Sequence, residues 1–137
     1  MMTELITLSF DKIMQTRSYT VIVLGEASKS FAIYTDPSVG RTLQLFLTGA
    51  EKPRPLTHDL FQTVLQSTEI KVMQVVLYDL KDTVYYAKLF VEQQVGEIRH
   101  IMEIDSRPSD SIILALMNNA PVYCTKEVLD HAIPLEE

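Results

Sequence analysis

Residues 109–118 read SDSIILALMN, and from Ile112 to Met117 no side chain is polar. A surface helix keeps one polar face toward water; a helix that is apolar all round has none to show and must be buried. This short run therefore constrains the fold more than any other feature. The remaining chain has to be wrapped around it. At 137 residues the chain is long enough to bury such a core and suits a single domain.

The wrapping is legible in alternating strand and helix patterns. Residues 4–10, 17–25 and 30–35 are rich in Thr, Val, Ile and Leu and read as strands, the last two joined by a GEASKS turn. Asp36 and Pro37 then stand as cap and first residue of a helix. Val39, Leu43, Phe46 and Leu47 repeat on one face of it, and Gly49 ends it. After the loop AEKPRP, Thr57 is placed to cap a helix over 58–67. Leu56 and Phe61 are spaced as a hydrophobic staple, and Leu60, Phe61, Val64 and Leu65 form the expected buried side. Residues 70–79 and 83–93 read as a hairpin and 98–104 as a further strand. The apolar helix follows, then a short strand at 121–124 and a last helix from a Thr125 cap to His131. This order predicts an α+β (mixed α/β) fold: a mixed β-sheet with about four helices in one domain, 1–137.

Two polar clusters stand at helix starts. In RPLTHD, Pro55 keeps Arg54 out of the helix, while Thr57, His58 and Asp59 fall in the first turn, where unpaired N–H groups favour anions. His58 has the chemistry of a general base or a metal ligand, and Asp59 that of its orienting group or of a metal ligand. In DSRPSD, Asp105 ends a strand, Pro108 holds Arg107 outside, Ser109 is the expected cap and Asp110 lies in the first turn. Arg107 suits a phosphate held through two nitrogens. The alternative in both places is structural: a cap, a carboxylate answering the helix dipole, and an internal Arg–Asp tie. The second cluster weighs against surface decoration, because the mouth of a buried helix must satisfy its polar groups somewhere. Arg-Pro followed by a capped helix occurs in both halves, a parallel that helix-start chemistry alone can produce.

Other features are plainer. Tyr78, Tyr85 and Tyr86 have the chemistry to stack on bases, but tyrosine is ordinary in strands. Arg99 and His100 read as an exposed pair on a strand, His131 as solvated, and Glu136-Glu137 as a tail. Cys124, the only cysteine, reads as a packed thiol in a buried strand. With four glycines and no Walker, Rossmann, zinc or nucleophile-elbow pattern, the familiar motif-bearing enzyme classes have no support. No run approaches the ~20 apolar residues of a membrane span. The N-terminus, MMTELITLSF, has no basic stretch ahead of an apolar one, so the expected location is cytoplasmic. The net charge is −6, all of it from residues 61–137. A protein gripping nucleic acid by charge alone should be more basic, so any phosphate contact must come from a few placed groups.

From KPRPLTHDLFQTVL through VVLYDLKDTVYYAKLFV to IDSRPSDSIILAL and NAPVYCTKEVLDHA, about residues 52–132, the chain resembles the bifunctional nuclease (BFN) domain family. RPLTHDL and DSRPSDSIILA carry the resemblance together. It implies a mixed α/β fold, homo-oligomers with a dimer favoured, and cleavage of DNA and RNA, so nucleic acid is the implied partner. It directs attention to Arg54, Thr57, His58, Asp59, Asp105, Arg107, Ser109 and Asp110. There are departures. Where the family usually has a glycine and a glutamate ahead of RPLTHD, this chain has Asp36 and Val39; after RPSD, Ser111 replaces the usual alanine.

Three functional readings follow. In a nuclease, His58 would act as base, or Asp59, Asp105 and Asp110 would hold a divalent ion (Mg or Mn) that activates water, with Arg54, Arg107 and Ser109 on the phosphate. In a non-catalytic binding or regulatory module the fold remains without turnover. In the structural reading, both clusters only tie helices to the sheet. The nuclease requires two motifs about 50 residues apart to meet in one cleft.

Overall fold

The computed structural model describes residues 4–135, so the Glu136-Glu137 tail lies outside the described residues. The elements are β1 (Leu5–Gln15), β2 (Thr20–Glu26), β3 (Lys29–Thr35), α1 (Pro37–Thr48), α2 (Thr57–Ser67), β4 (Ile70–Lys81), β5 (Val84–Val95), β6 (Ile98–Ser106), α3 (Pro108–Met117), β7 (Val122–Thr125) and α4 (Lys126–His131). The expected α+β class holds: one mixed seven-stranded sheet and four helices.

The sheet order is β3-β2-β1-β7-β4-β5-β6. Two antiparallel meanders, β1-β2-β3 and β4-β5-β6, flank β7, which runs antiparallel to β1 and parallel to β4. A parallel neighbour requires a crossover. Here α3 makes it, carrying the chain from the β6 edge back to the centre of the sheet. That route explains the apolar run: Ile112, Ile113 and Ala115 are fully buried and Leu114 nearly so, packed with Val75, Leu77 and Leu89. Phe31 of β3 stacks on Tyr85 of β5 with ring centroids 5.5 Å apart, although four strands separate β3 from β5 in the sheet. The sheet therefore curls around α3 and brings its two ends together at the start of that helix.

Several local expectations change. β1 runs on to Gln15, past residue 10. Its first part, Leu5–Leu8, pairs with β7, and its second part, from Ser9, pairs with β2 across an irregularity at Asp11. The polar DKIMQ stretch hid this continuation. Pro37 opens α1 and Gly49 closes it at φ 66°, a left-handed conformation that suits glycine, both as expected. The Thr125 hydroxyl accepts from the Val128 N–H at 3.1 Å, also as expected. Thr57 and Ser109 are not caps. Each stands inside its helix, because the helices begin one or two residues earlier, with Leu56 and Arg107 at the cap positions and Pro108 opening α3. Only Leu65 of the expected α2 core is buried; Leu60, Phe61 and Val64 are exposed. α2 is more apolar than its contacts with α3 and β4 require. Cys124 is fully buried, as expected, and burial pushes its thiol up to about 11. His100 and His131 are exposed, also as expected. Among the described residues no helix is long and apolar enough to cross a membrane.

Candidate functional site

The two Arg-Pro motifs meet. α2 starts at Thr57 and α3 at Pro108, and the two helix starts face one cleft of about 940 Å³, closed on a third side by α1. His58 Nε2 lies 2.9 Å from Asp110 Oδ1. The other Asp110 oxygen accepts from Arg107 Nε at 2.8 Å, and Arg107 Nη2 reaches Oδ1 at 3.2 Å. Asp36, just before α1, is 3.7 Å from Arg107. The hydrogen bond from His58, reinforced by Arg107, holds the Asp110 carboxyl down at about 2, although partial burial opposes this. The same partnership with Asp110 raises Arg107. Asp110 is therefore a firm carboxylate, and it sets the imidazole tautomer: Nε2 carries the hydrogen and donates. Among the described residues Nδ1 has no hydrogen-bond partner, which leaves it free as an acceptor.

The other singled-out residues separate into groups. Thr57 lines the cleft with His58. Asp59 does not join them. Its carboxylate accepts from the Leu56 N–H and from Lys52 Nζ, each at 2.8 Å, and Lys52 holds it below the usual carboxylate range. It is the carboxylate half of a helix-start cap. Arg54 is exposed in the loop before α2 and makes no ion pair among the described residues. Asp105 contributes to the cleft wall, but its carboxylate accepts from the Tyr78 hydroxyl at 2.8 Å, and this bond raises Tyr78. Asp105 pairs across from Lys88 in β5, on the face of the sheet away from α3. Ser109 is buried within the first turn of α3.

Three further residues line the cleft, and two of them, Arg41 and Ser106, escaped sequence reasoning. Arg41 of α1 lines the cleft; it stands off the apolar face of its helix and belongs to no motif. Val39, where the resemblance places a glutamate, lines it too, so this departure falls inside the site. The third is Ser106. Its hydroxyl is buried without a hydrogen-bond partner among the described residues, and the residue borders both the cleft and a second cavity of about 440 Å³. That cavity shares Asp105, Ser106 and Arg107 with the cleft, and Tyr34, Tyr85 and Tyr86 line it. By contrast the Ser111 hydroxyl is satisfied inside α3, donating to the Arg107 and Pro108 carbonyls.

The donor set does not suit a divalent metal. Among the described residues no three His, Cys, Asp or Glu side chains converge. His58 and Asp110 are bonded to each other, and Arg107 occupies the remaining Asp110 oxygen. Mg and Mn prefer several oxygen ligands.

An imidazole oriented by a carboxylate, beside a guanidinium in an open cleft, has the chemistry for acid–base work or for holding an anion. The Bifunctional nuclease domain model matches residues 22–135, and the chain belongs to this family. The match begins in β2, well ahead of the motif-bearing 52–132. Two curated relatives, the uncharacterized proteins MT1877 and Rv1829 of Mycobacterium tuberculosis strains CDC 1551 / Oshkosh and ATCC 25618 / H37Rv, are each 29% identical over 123 residues. The matched region covers 88% of this chain and 71% of each relative.

Proposed function

We propose that the cleft binds a phosphodiester of single-stranded nucleic acid and hydrolyses it. The observation that carries this reading is the junction of His58 with Asp110 beside Arg107, which joins the two family motifs in one open cleft. Asp110 holds Nε2–H, so Nδ1 of His58 takes the proton of a water as its oxygen attacks phosphorus. Arg107 and Arg41 offset the charge that builds on the phosphoryl oxygens. The P–O bond opposite the water breaks, and the leaving oxygen takes a proton from the imidazolium or from solvent. The Ser106 hydroxyl offers a hydrogen bond to the bound phosphate. No step is routed through a metal, because the donors that meet do not form an ion's cage.

The second cavity supports the single-stranded substrate. A phosphate at Arg107 puts a neighbouring nucleoside beside Tyr34 and Tyr86, and aromatic faces hold unpaired bases by stacking. A paired base inside a duplex is not free to enter. The chain's acidic balance agrees with recognition by a few placed groups rather than by bulk charge.

One observation favours a second reading, a binding module without turnover. Val39 puts an apolar side chain in the cleft where the family has a carboxylate. One experiment separates the two: the purified chain is incubated with labelled single-stranded RNA and DNA, beside His58→Ala and Asp110→Asn. Cleavage that drops with both variants supports the nuclease. Undiminished cleavage in the variants rejects this site, and tight binding without cleavage supports the module.

A further inference from the structure

A single strand longer than the cleft has to leave it, and the surface beyond the second cavity has a definite chemistry. Tyr34, which lines that cavity, makes an edge-to-face pair with Tyr19, with ring centroids 5.2 Å apart. Register explains the pair. Tyr34 of β3 stands opposite Val21 of β2, and Tyr19 is two residues before Val21, so the two rings are diagonal neighbours on one face of the sheet. That face is the outer one, because the alternate residues, Ile22 and Ile33, turn to the core. Tyr19 is 41% exposed and Tyr34 63%. Two rings set at 74° to each other cannot cover each other's faces fully, so each keeps a face free for a ligand.

The turn that carries Tyr19 is firmly held. The Thr16 N–H donates to the Tyr19 carbonyl at 2.9 Å, and the Thr16 hydroxyl donates to the same carbonyl at 3.0 Å. That hydroxyl also accepts from the Ser18 and Tyr19 N–H groups at 3.2 and 3.1 Å. Gln15 and Thr20, on either side of the turn, pack so closely on Gly40 of α1 that a Cβ there would collide with both. The same helix brings Arg41 to the cleft, so turn and cleft share one rigid support. Within the turn stands Arg17, exposed and without an ion pair among the described residues. By contrast Lys52, Lys81, Lys88, Arg99 and Lys126 each face a carboxylate. Exposed rings beside an unanswered guanidinium suit a single strand, whose bases stack on aromatic faces while its phosphates meet the cation.

We propose that the Thr16–Tyr19 turn continues the strand path out of the second cavity. The base after the one beside Tyr34 stacks on Tyr19, and the phosphate next to it meets Arg17. This rests on the reading of the cleft as a phosphodiester site and adds the length of its substrate. A strand that reaches the turn is held more tightly than a dinucleotide, which ends inside the two cavities.

The test is a competition experiment. A labelled eight-nucleotide thymidylate is bound to the full chain carrying His58→Ala, so that it is not cut, and is displaced by unlabelled thymidylates of eight or two nucleotides. The octamer is expected to bind more tightly than the dinucleotide. Tyr19→Ala should weaken the octamer by roughly 5- to 100-fold, the loss of one stacked base, and leave the dinucleotide unchanged. Tyr19→Phe keeps the ring and should keep most of the affinity. Arg17→Ala should lower the slope of log affinity against log salt by about 0.7, the share of one phosphate contact on a single strand. Melting curves confirm that each variant folds. An octamer held no better than the dinucleotide overturns the proposal, as does an octamer indifferent to Tyr19→Ala or a salt slope unmoved by Arg17→Ala. An equal loss at both lengths assigns Tyr19 to the fold and also overturns it. If the dinucleotide binds but length and variants make no difference, the strand path falls and the phosphodiester site stands; if neither length binds, both fall.

Discussion

His58 Nε2 and Asp110 Oδ1 are 2.9 Å apart, although 52 positions separate the two residues in the chain. This bond joins the start of α2 to the start of α3 and leaves Nδ1 as the imidazole nitrogen without a hydrogen-bond partner among the described residues. If Nδ1 is the base, His58→Ala is expected to lower cleavage of a single strand by about 10²–10⁴-fold. Asp110→Asn should lower it while keeping the shape of the site. Single-turnover rates with the two variants check this, and a melting curve for each confirms that it folds.

The Asp110 carboxyl titrates at about 2 in the fold against an ordinary value of 3.8. A group lowered in the folded state adds stability that is present above its unfolded value and lost as pH falls through the folded one. The window is therefore about pH 4 down to about 2. Partial solvent screening limits the contribution to about 1–2 kcal/mol. Denaturant melts of the native chain should lose stability across that window, and Asp110→Asn should lose less.

Asp59 separates structure from chemistry. It caps α2 through the Leu56 N–H and pairs with Lys52 outside the His58–Asp110 junction. Asp59→Ala is expected to cost about 1 kcal/mol of stability, as loss of a helix-start carboxylate does, with cleavage rate per folded molecule unchanged. A rate loss as large as that of His58→Ala would place Asp59 in the reaction instead.

Tyr34 lines the second cavity and is 63% exposed. If a base stacks there, Tyr34→Ala should weaken binding of a single strand by about 1–3 kcal/mol and leave duplex binding and folding unchanged. Fluorescence anisotropy with matched single- and double-stranded oligonucleotides measures the difference.

Gly40 of α1 packs against β2. A Cβ there would stand 1.9 Å from the Thr20 hydroxyl oxygen and 2.6 Å from its methyl carbon, and Thr20 is fully buried. Gly40→Ala is expected to destabilise by about 1–3 kcal/mol despite alanine's better helix propensity, because a buried β-branched side chain has little room to move. Chemical denaturation checks the sign.

The sequence by itself determined the elements and their burial wherever local chemistry is unambiguous. Pro37 and Gly49 mark the two ends of α1, Thr125 caps α4, and the apolar run that begins at Ile112 has no polar face and is buried through Ala115, with Leu116 and Met117 partly so. It also marked His58, Arg107 and Asp110 as residues with chemistry to offer. Only the tertiary structure decided how these are used. Asp59 and Asp110 look alike in sequence, each in the first turn of a helix after Arg-Pro. One turns back on its own cap, while the other reaches across to a second helix. Arg41 joined the cleft without any motif, and Ser106, although inside DSRPSD, had nothing in the sequence to mark its hydroxyl. The physical reason is that caps, periodicity and turns are set by neighbours in the chain, whereas a cleft is set by strand order and sheet curl. Those depend on which distant apolar faces pack together around α3.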